Sequence, residues 1–110
     1  MSNGPAVVFT QPVYLLPSLV PLTVSTTVVS IDPTSIPPGA SGALIANRPA
    51  AGTVHFGYGT DPSTAVGIPI IAGEVMVIED DTNLVNFRFI RQSTTDGVVT
   101  FQFLAVKNIR

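Results

Sequence analysis

Apolar side chains in this chain recur at every second position, and no window of ten or more residues keeps helical spacing. Thr53 to Tyr58 alternates, with Val54, Phe56 and Tyr58 on one face. Leu84 to Gln92 sets Val85, Phe87 and Phe89 against Asn86, Arg88 and Ile90. Val98 to Val106 sets Val99, Phe101, Phe103 and Ala105 against Thr100 and Gln102. Glu74 to Glu79 is a shorter run, Thr23 to Ile31 is rich in strand-favouring Val and Thr, and Gly42 to Arg48 is a weaker strand candidate. This pattern predicts an all-β fold, an antiparallel β-sandwich or barrel. Phe56, Phe87, Phe89, Phe101 and Phe103 are expected to form its core.

Turn chemistry divides the runs. Loops are expected at 37–42, 49–52 and 59–64. Asp80–Asn83 and Thr94–Gly97 read as hairpin connections, the second ending in a favoured Asp-Gly pair.

The first 31 residues carry no charge, and Pro12, Pro17 and Pro21 interrupt their apolar stretch. A spanning helix needs about 20 apolar residues without such breaks. A signal peptide needs a basic start, and Met1 to Thr10 has no Lys or Arg. No membrane segment is therefore expected. Proline keeps Val13 to Leu22 extended and out of a central strand. Two readings are open for it: an arm lying across a neighbouring subunit, or an edge strand on the chain's own core. The arm reading divides the chain into an extended arm at 1–22 and one β-sandwich domain at 23–110. It makes Val13, Tyr14, Leu15, Leu16, Leu19 and Val20 the candidate partner-binding residues. Neither half of the 110 residues is long enough to bury a stable core alone.

Composition bears on partners. Charged residues are 11% of the chain, five basic and seven acidic, for a net charge of −2. A folded monomer of this mass exposes about 5,800 Å², or roughly one charge per 480 Å². Soluble small domains usually carry about 25–35% charged residues on their surface. Part of this surface is therefore expected to be covered by protein. There is no basic excess for nucleic acid. Without cysteine there is no disulfide, thiolate metal site or cysteine nucleophile.

The remaining candidates for chemistry are few. His55 is the sole histidine, and alternation turns it away from the Phe56 face, toward solvent or an interface. It lacks the nucleophile and orienting acid that a catalytic base needs. Glu79-Asp80-Asp81 lacks the alternate spacing of a calcium loop and reads as turn chemistry. The glycine-bearing stretches Gly57-Tyr58-Gly59 and Gly39–Gly42 do not fit a phosphate-binding fingerprint. No catalytic, metal or cofactor site is expected, and no enzyme activity. Arg48, Arg88 and Arg91 are weaker candidates for contact with an acidic partner, and read equally as edge charges that discourage aggregation.

One arrangement goes beyond composition. Ile45-Ala46-Asn47 is followed by Val54-His55-Phe56-Gly57, then Gly67-Ile68-Pro69-Ile70-Ile71-Ala72-Gly73-Glu74, an apolar strand, an acidic turn and a closing strand pair. Over residues 43 to 106 this order resembles small structural proteins of tailed bacteriophages. The resemblance implies an antiparallel β-sandwich of jelly-roll type and a non-enzymatic virion protein: a head decoration or cement protein bound to the major capsid protein, or else a neck, tail or head-fibre component. It implies a homo-oligomer, with a trimer favoured because capsids offer many three-fold positions. The expected location is the outer capsid surface of a virion made in the host bacterial cytoplasm. A carbohydrate-binding β-sandwich is the rival class. It is weakened by the absence of Trp and by having only Tyr14 and Tyr58 as tyrosines.

Overall fold

The computed structural model describes residues 12–79, 83–92 and 94–106. Eight strands follow one another: β1 (Val13–Val24), β2 (Val29–Ser30), β3 (Gly42–Asn47), β4 (Val54–Tyr58), β5 (Ile68–Ile70), β6 (Val75–Ile78), β7 (Phe87–Arg91) and β8 (Gly97–Val106). They form two four-stranded sheets, β1-β8-β3-β6 and β2-β7-β4-β5, and every pairing is antiparallel. Short 3-10 turns at Pro33–Ser35 and Leu84–Asn86 are the only helical pieces among the described residues. The chain is all-β, and its two sheets enclose one core, as in a β-sandwich.

Alternation builds that core. Ala43, Ile45, Val99, Phe101 and Phe103 of the first sheet meet Val54, Ile70, Phe87 and Phe89 of the second, all buried. Phe89 and Phe101 touch edge to face across the two sheets, with ring centroids 5.9 Å apart. Four of the five phenylalanines expected in the core are buried there, and Phe56 packs on it half-exposed.

The stretch 13–24 forms an edge strand. Val13 to Leu15 pair with Val106 to Leu104, and Leu19 to Val24 pair with Gln102 to Gly97. The boundary expected after Leu22 thus falls inside β1. The register shifts between Leu15 and Leu19, where Pro17 cannot donate to the ladder. Gln102 Nε2 donates to the Leu16 carbonyl at 3.3 Å, so the bulge does not leave that oxygen unpaired. Residues 1–11, the rest of the stretch read as an arm, lie outside the described residues.

The hairpins expected around 80–83 and 94–97 are not hairpins. β6 and β8 belong to one sheet and β7 to the other, so both connections cross between sheets. Turn residues report that the chain reverses; they do not report which strand it meets next. Among the described strands the one hairpin is β4–β5, closed by the 59–67 loop.

Two outcomes test this description. Phe89→Ala is expected to cost about 3–5 kcal/mol, because its ring is fully buried between the sheets; a denaturant midpoint equal to wild type would contradict the core assignment. Asp32 caps the 33–35 turn, accepting the backbone N–H and the hydroxyl of Thr34, each at 2.9 Å. The backbone bond, then the hydroxyl bond, hold its carboxyl below the ordinary value of 3.8, against a smaller opposing effect of desolvation. The turn's stabilisation is therefore full above the ordinary value and fades as pH falls through the lowered one. An NMR titration of Asp32 should show its midpoint below 3.8.

Candidate assembly surface

The two sheets differ on their outer faces. On the second sheet, Arg88, Ile90 and His55 point away from the core, and the 59–67 loop folds over them. Pro62 is buried. Arg88 Nη1 meets Asp61 Oδ1 at 2.9 Å, and the Gly59 N–H donates to the Asn86 carbonyl. His55 does turn away from the core, but it is only 6% exposed rather than solvated. Its Nδ1 lies 3.0 Å from the Ser63 carbonyl, an acceptor, so Nδ1 carries the proton. The loop converts the outward histidine into a buried strut.

The first sheet has no described loop folded over it in this way, although Leu104, outward by its register with Leu15 and Gly42, is fully buried, so the face is covered at that end. Register and burial place Leu15, Leu19, Pro21, Val98, Leu44, Ala46, Val75 and Val77 on its outer face, opposite the buried side. Thr23, Thr100 and Gln102 are the polar side chains among them, and none of the described charged residues belongs to this set. An antiparallel sheet with one wet face normally alternates apolar inside and polar outside. Here β3 and β6 are apolar on both faces. A hollow of about 180 Å³ lies on this face, lined by Leu19, Leu44, Ala46, Val75, Thr100 and Gln102. Leu19 is 67% exposed.

The candidate residues divide accordingly. Leu15 and Leu19 stand on this face, beside the half-buried Val13. Leu16 and Val20 turn inward and pack on the core. Tyr14 pairs opposite Ala105 near the sheet's end and is exposed. Arg88 and Arg91 sit on β7 in ion pairs with Asp61 and Asp96, at 2.9 and 2.6 Å. Such partly exposed pairs contribute about 0.2–1 kcal/mol each. Arg48 is exposed just beyond β3. Sequence reasoning missed Leu44, Ala46, Val75 and Val77. The signal was present: Ala43–Ala46 and Val75–Ile78 are unbroken apolar runs, which demand cover on both sides.

A second apolar cleft, about 430 Å³, lies between β4 and the 59–67 loop, where Tyr58, Val66 and Ile68 are exposed. Among the described residues no group of three or more His, Asp or Glu side chains is placed to hold a metal. Asp80 and Asp81 of the acidic triplet lie outside the described residues. No described helix is long and apolar enough to cross a membrane.

The short motifs are joined through one buried side chain. Asn47 donates from Nδ2 to the Gly52 carbonyl at 2.9 Å and to the Ile70 carbonyl at 2.8 Å. Its backbone N–H donates to Glu74, and its carbonyl accepts from Gly73. Asn47 therefore fastens the end of β3 to the 70–74 turn across the sheets. Gly73 takes φ +84° within that turn, where Glu74 Oε1 accepts the Ile71 N–H at 2.8 Å. At Gly57 a Cβ would stand 2.6 Å from the Thr60 carbonyl oxygen, so the 57–60 turn requires glycine. Each motif has a role in holding the fold.

No family model, curated protein or solved structure matches this chain.

Asn47→Ala should leave the Ile70 and Gly52 carbonyls without their side-chain donor and cost about 2–4 kcal/mol, by unpaired-group penalties. A chemical denaturation curve superimposing on wild type would refute Asn47 as the inter-sheet fastener.

Proposed function

We propose that the chain is a non-enzymatic structural protein of a virion, a decoration protein that stabilises a phage head by contact with the major capsid protein. The observation that carries this reading is the outer face of the first sheet. Around Leu19, Leu44, Ala46, Val75 and Val77 it is largely apolar and partly exposed, and none of the described charged residues belongs to it. A surface of this kind functions by being covered with protein. Burial contributes about 25 cal/mol per Å² of apolar surface, less the cost of ordering and orientation.

The finer fold reading, a jelly roll, belongs with this proposal. Its support is the strand order: β1-β8-β3-β6 over β2-β7-β4-β5 is the order of an eight-stranded roll with two Greek keys. That architecture serves viral capsid domains, and also lectins and cupins, so it narrows the function without choosing it. The sequence resemblance favours the capsid reading. Localisation on the outer capsid surface, after synthesis in the host bacterial cytoplasm, follows from the same reading.

Empty shells of the cognate phage test it. Added protein should raise the temperature or chelator concentration at which the shells open, and shells equally fragile with and without it would exclude cementing. Copy number separates a decoration protein from a neck, tail or head-fibre part: hundreds per particle for the first and about a dozen or fewer for a neck or tail ring, since symmetry sets both. The carbohydrate reading gains one observation, exposed Tyr58 beside Asp61 in the 430 Å³ cleft. Asp61 is already engaged by Arg88. A glycan-array signal lost in Tyr58→Ala would favour that reading.

A further inference from the structure

We infer that the Asp96–Gly97 bond is a site of spontaneous isomerisation in this chain, and that Arg91 slows the reaction by its ion pair with Asp96. The inference rests on neither the assembly face nor the virion.

The step is internal to the chain. The Gly97 nitrogen attacks Asp96 Cγ, the carboxyl hydroxyl leaves as water with the nitrogen's proton, and a cyclic imide forms. Water then opens the ring. Addition at the former side-chain carbonyl restores aspartate. Addition at the former backbone carbonyl gives isoaspartate, whose main chain runs through Cβ and Cγ. The water lost is regained, and nothing is oxidised or reduced. The attack needs an N–H on the next residue and little bulk at its Cα. Asp32 and Asp61 precede Pro33 and Pro62, which have no N–H. Asp80 and Asp81 precede Asp81 and Thr82, which carry side chains. Among the aspartates, Asp96 alone precedes glycine.

Packing fixes that glycine. A Cβ on Gly97 would collide with Val54 Cγ2 and stand 3.1 Å from the Gly52 carbonyl oxygen. The reactive pair is therefore a consequence of how the two sheets meet. Gly97 opens β8 and pairs with Val24 at the end of the ladder, where local opening costs least. The Asp96 side chain is 47% exposed, so water reaches its carboxyl.

Two contacts hold Asp96. Arg91 Nη1 meets its Oδ1 at 2.6 Å, and its backbone carbonyl accepts the Gly52 N–H at 3.0 Å. Arg91 is itself anchored, its backbone N–H donating to the Ser25 carbonyl at 3.0 Å. Ring closure turns the carboxylate into a neutral imide and ends the ion pair, so the pair opposes the step. Isomerisation alters both contacts: the carboxylate that Arg91 holds becomes a main-chain amide, and the carbonyl that Gly52 holds becomes a free carboxylate. It also adds a main-chain carbon to the connection that crosses from β7 to β8.

Incubation of the folded full chain near neutral pH, followed by trypsin digestion, tests the inference. The peptide from Gln92 to Lys107 holds Asp96 as its only aspartate, and Asn3-Gly4, which reacts in a related way, falls in another peptide. In Arg91→Ala the same site lies in the peptide from Phe89 to Lys107. An isomer of unchanged mass, located at residue 96 by electron-transfer fragmentation, should accumulate in wild type. Arg91→Ala should form it about two- to fivefold faster, the factor that a partly exposed ion pair supplies. Arg91→Lys keeps the cation without the planar fork and should fall between. Asp96→Glu, whose longer side chain closes a larger and slower ring, should form no detectable isomer in the same time. In urea, wild type and both Arg91 variants should react at one rate, because the pair exists only in the fold. Far-UV circular dichroism checks the fold of Arg91→Ala, and Arg91→Lys carries the comparison should that variant unfold. No isomer at residue 96 in the folded wild type, an equal amount in Asp96→Glu, or folded Arg91 variants reacting no faster than wild type would each overturn the inference.

Discussion

Phe89 and Phe101 meet edge to face between the two sheets, and the rest of the architecture depends on that contact. β7 and β8 are consecutive strands, yet each lies inside a different sheet, flanked by β2 and β4 or by β1 and β3. Once their phenylalanines face each other, every second residue of β8 must point outward, and the register carries this choice to β1, β3 and β6. The core thus fixes the composition of the opposite face. A one-residue slip would drive Thr100 and Gln102 inward and Phe101 and Phe103 outward.

The scarcity of charge is unevenly distributed. Arg88 and Arg91 belong to the second sheet, with Asp61 and Asp96 as their partners. Asp32 caps a turn, and Arg48, Glu74 and Glu79 lie outside the strands of the first sheet. The second sheet thus meets its loop through a buried histidine and an ion pair, and the first presents aliphatic side chains with Thr23, Thr100 and Gln102 among them. Among the described residues, the first sheet's outer face is the part without charge.

The strands with strict alternation, β4, β7 and β8, were legible because one face is core and the other is not. β3 was a weak candidate because Ala43–Ala46 has no polar partner position, and that defect in the pattern was the functional clue. The prolines correctly excluded a helix and a central strand for 13–22, but extended backbone suits an arm and an edge strand equally, and only pairing with β8 distinguishes them. Thr94-Thr95-Asp96-Gly97 was read as a hairpin because local turn preference says nothing about which sheet the next strand joins. Asn47 carried no local signal at all. Its importance comes from Gly52 and Ile70, which the fold brings to it from different strands.

Edges and faces offer a sheet two routes to association, and this fold leaves only one open. Among the described strands, β1 is interrupted by Pro17 and Pro21 and by its bulge. β6 is four residues long, with Glu74 and Glu79 immediately outside it. β2 has two residues, and β5 has three with Pro69 at their centre. Short strands, prolines and flanking charges are the devices that prevent edge-to-edge growth. A chain rich in Val, Ile and Phe needs them, since open edges would propagate into aggregates. With the edges blunted, the apolar face can stay exposed without initiating cross-strand addition. Among the described residues, blunted edges and an outer face without charge fit the assembly role proposed above.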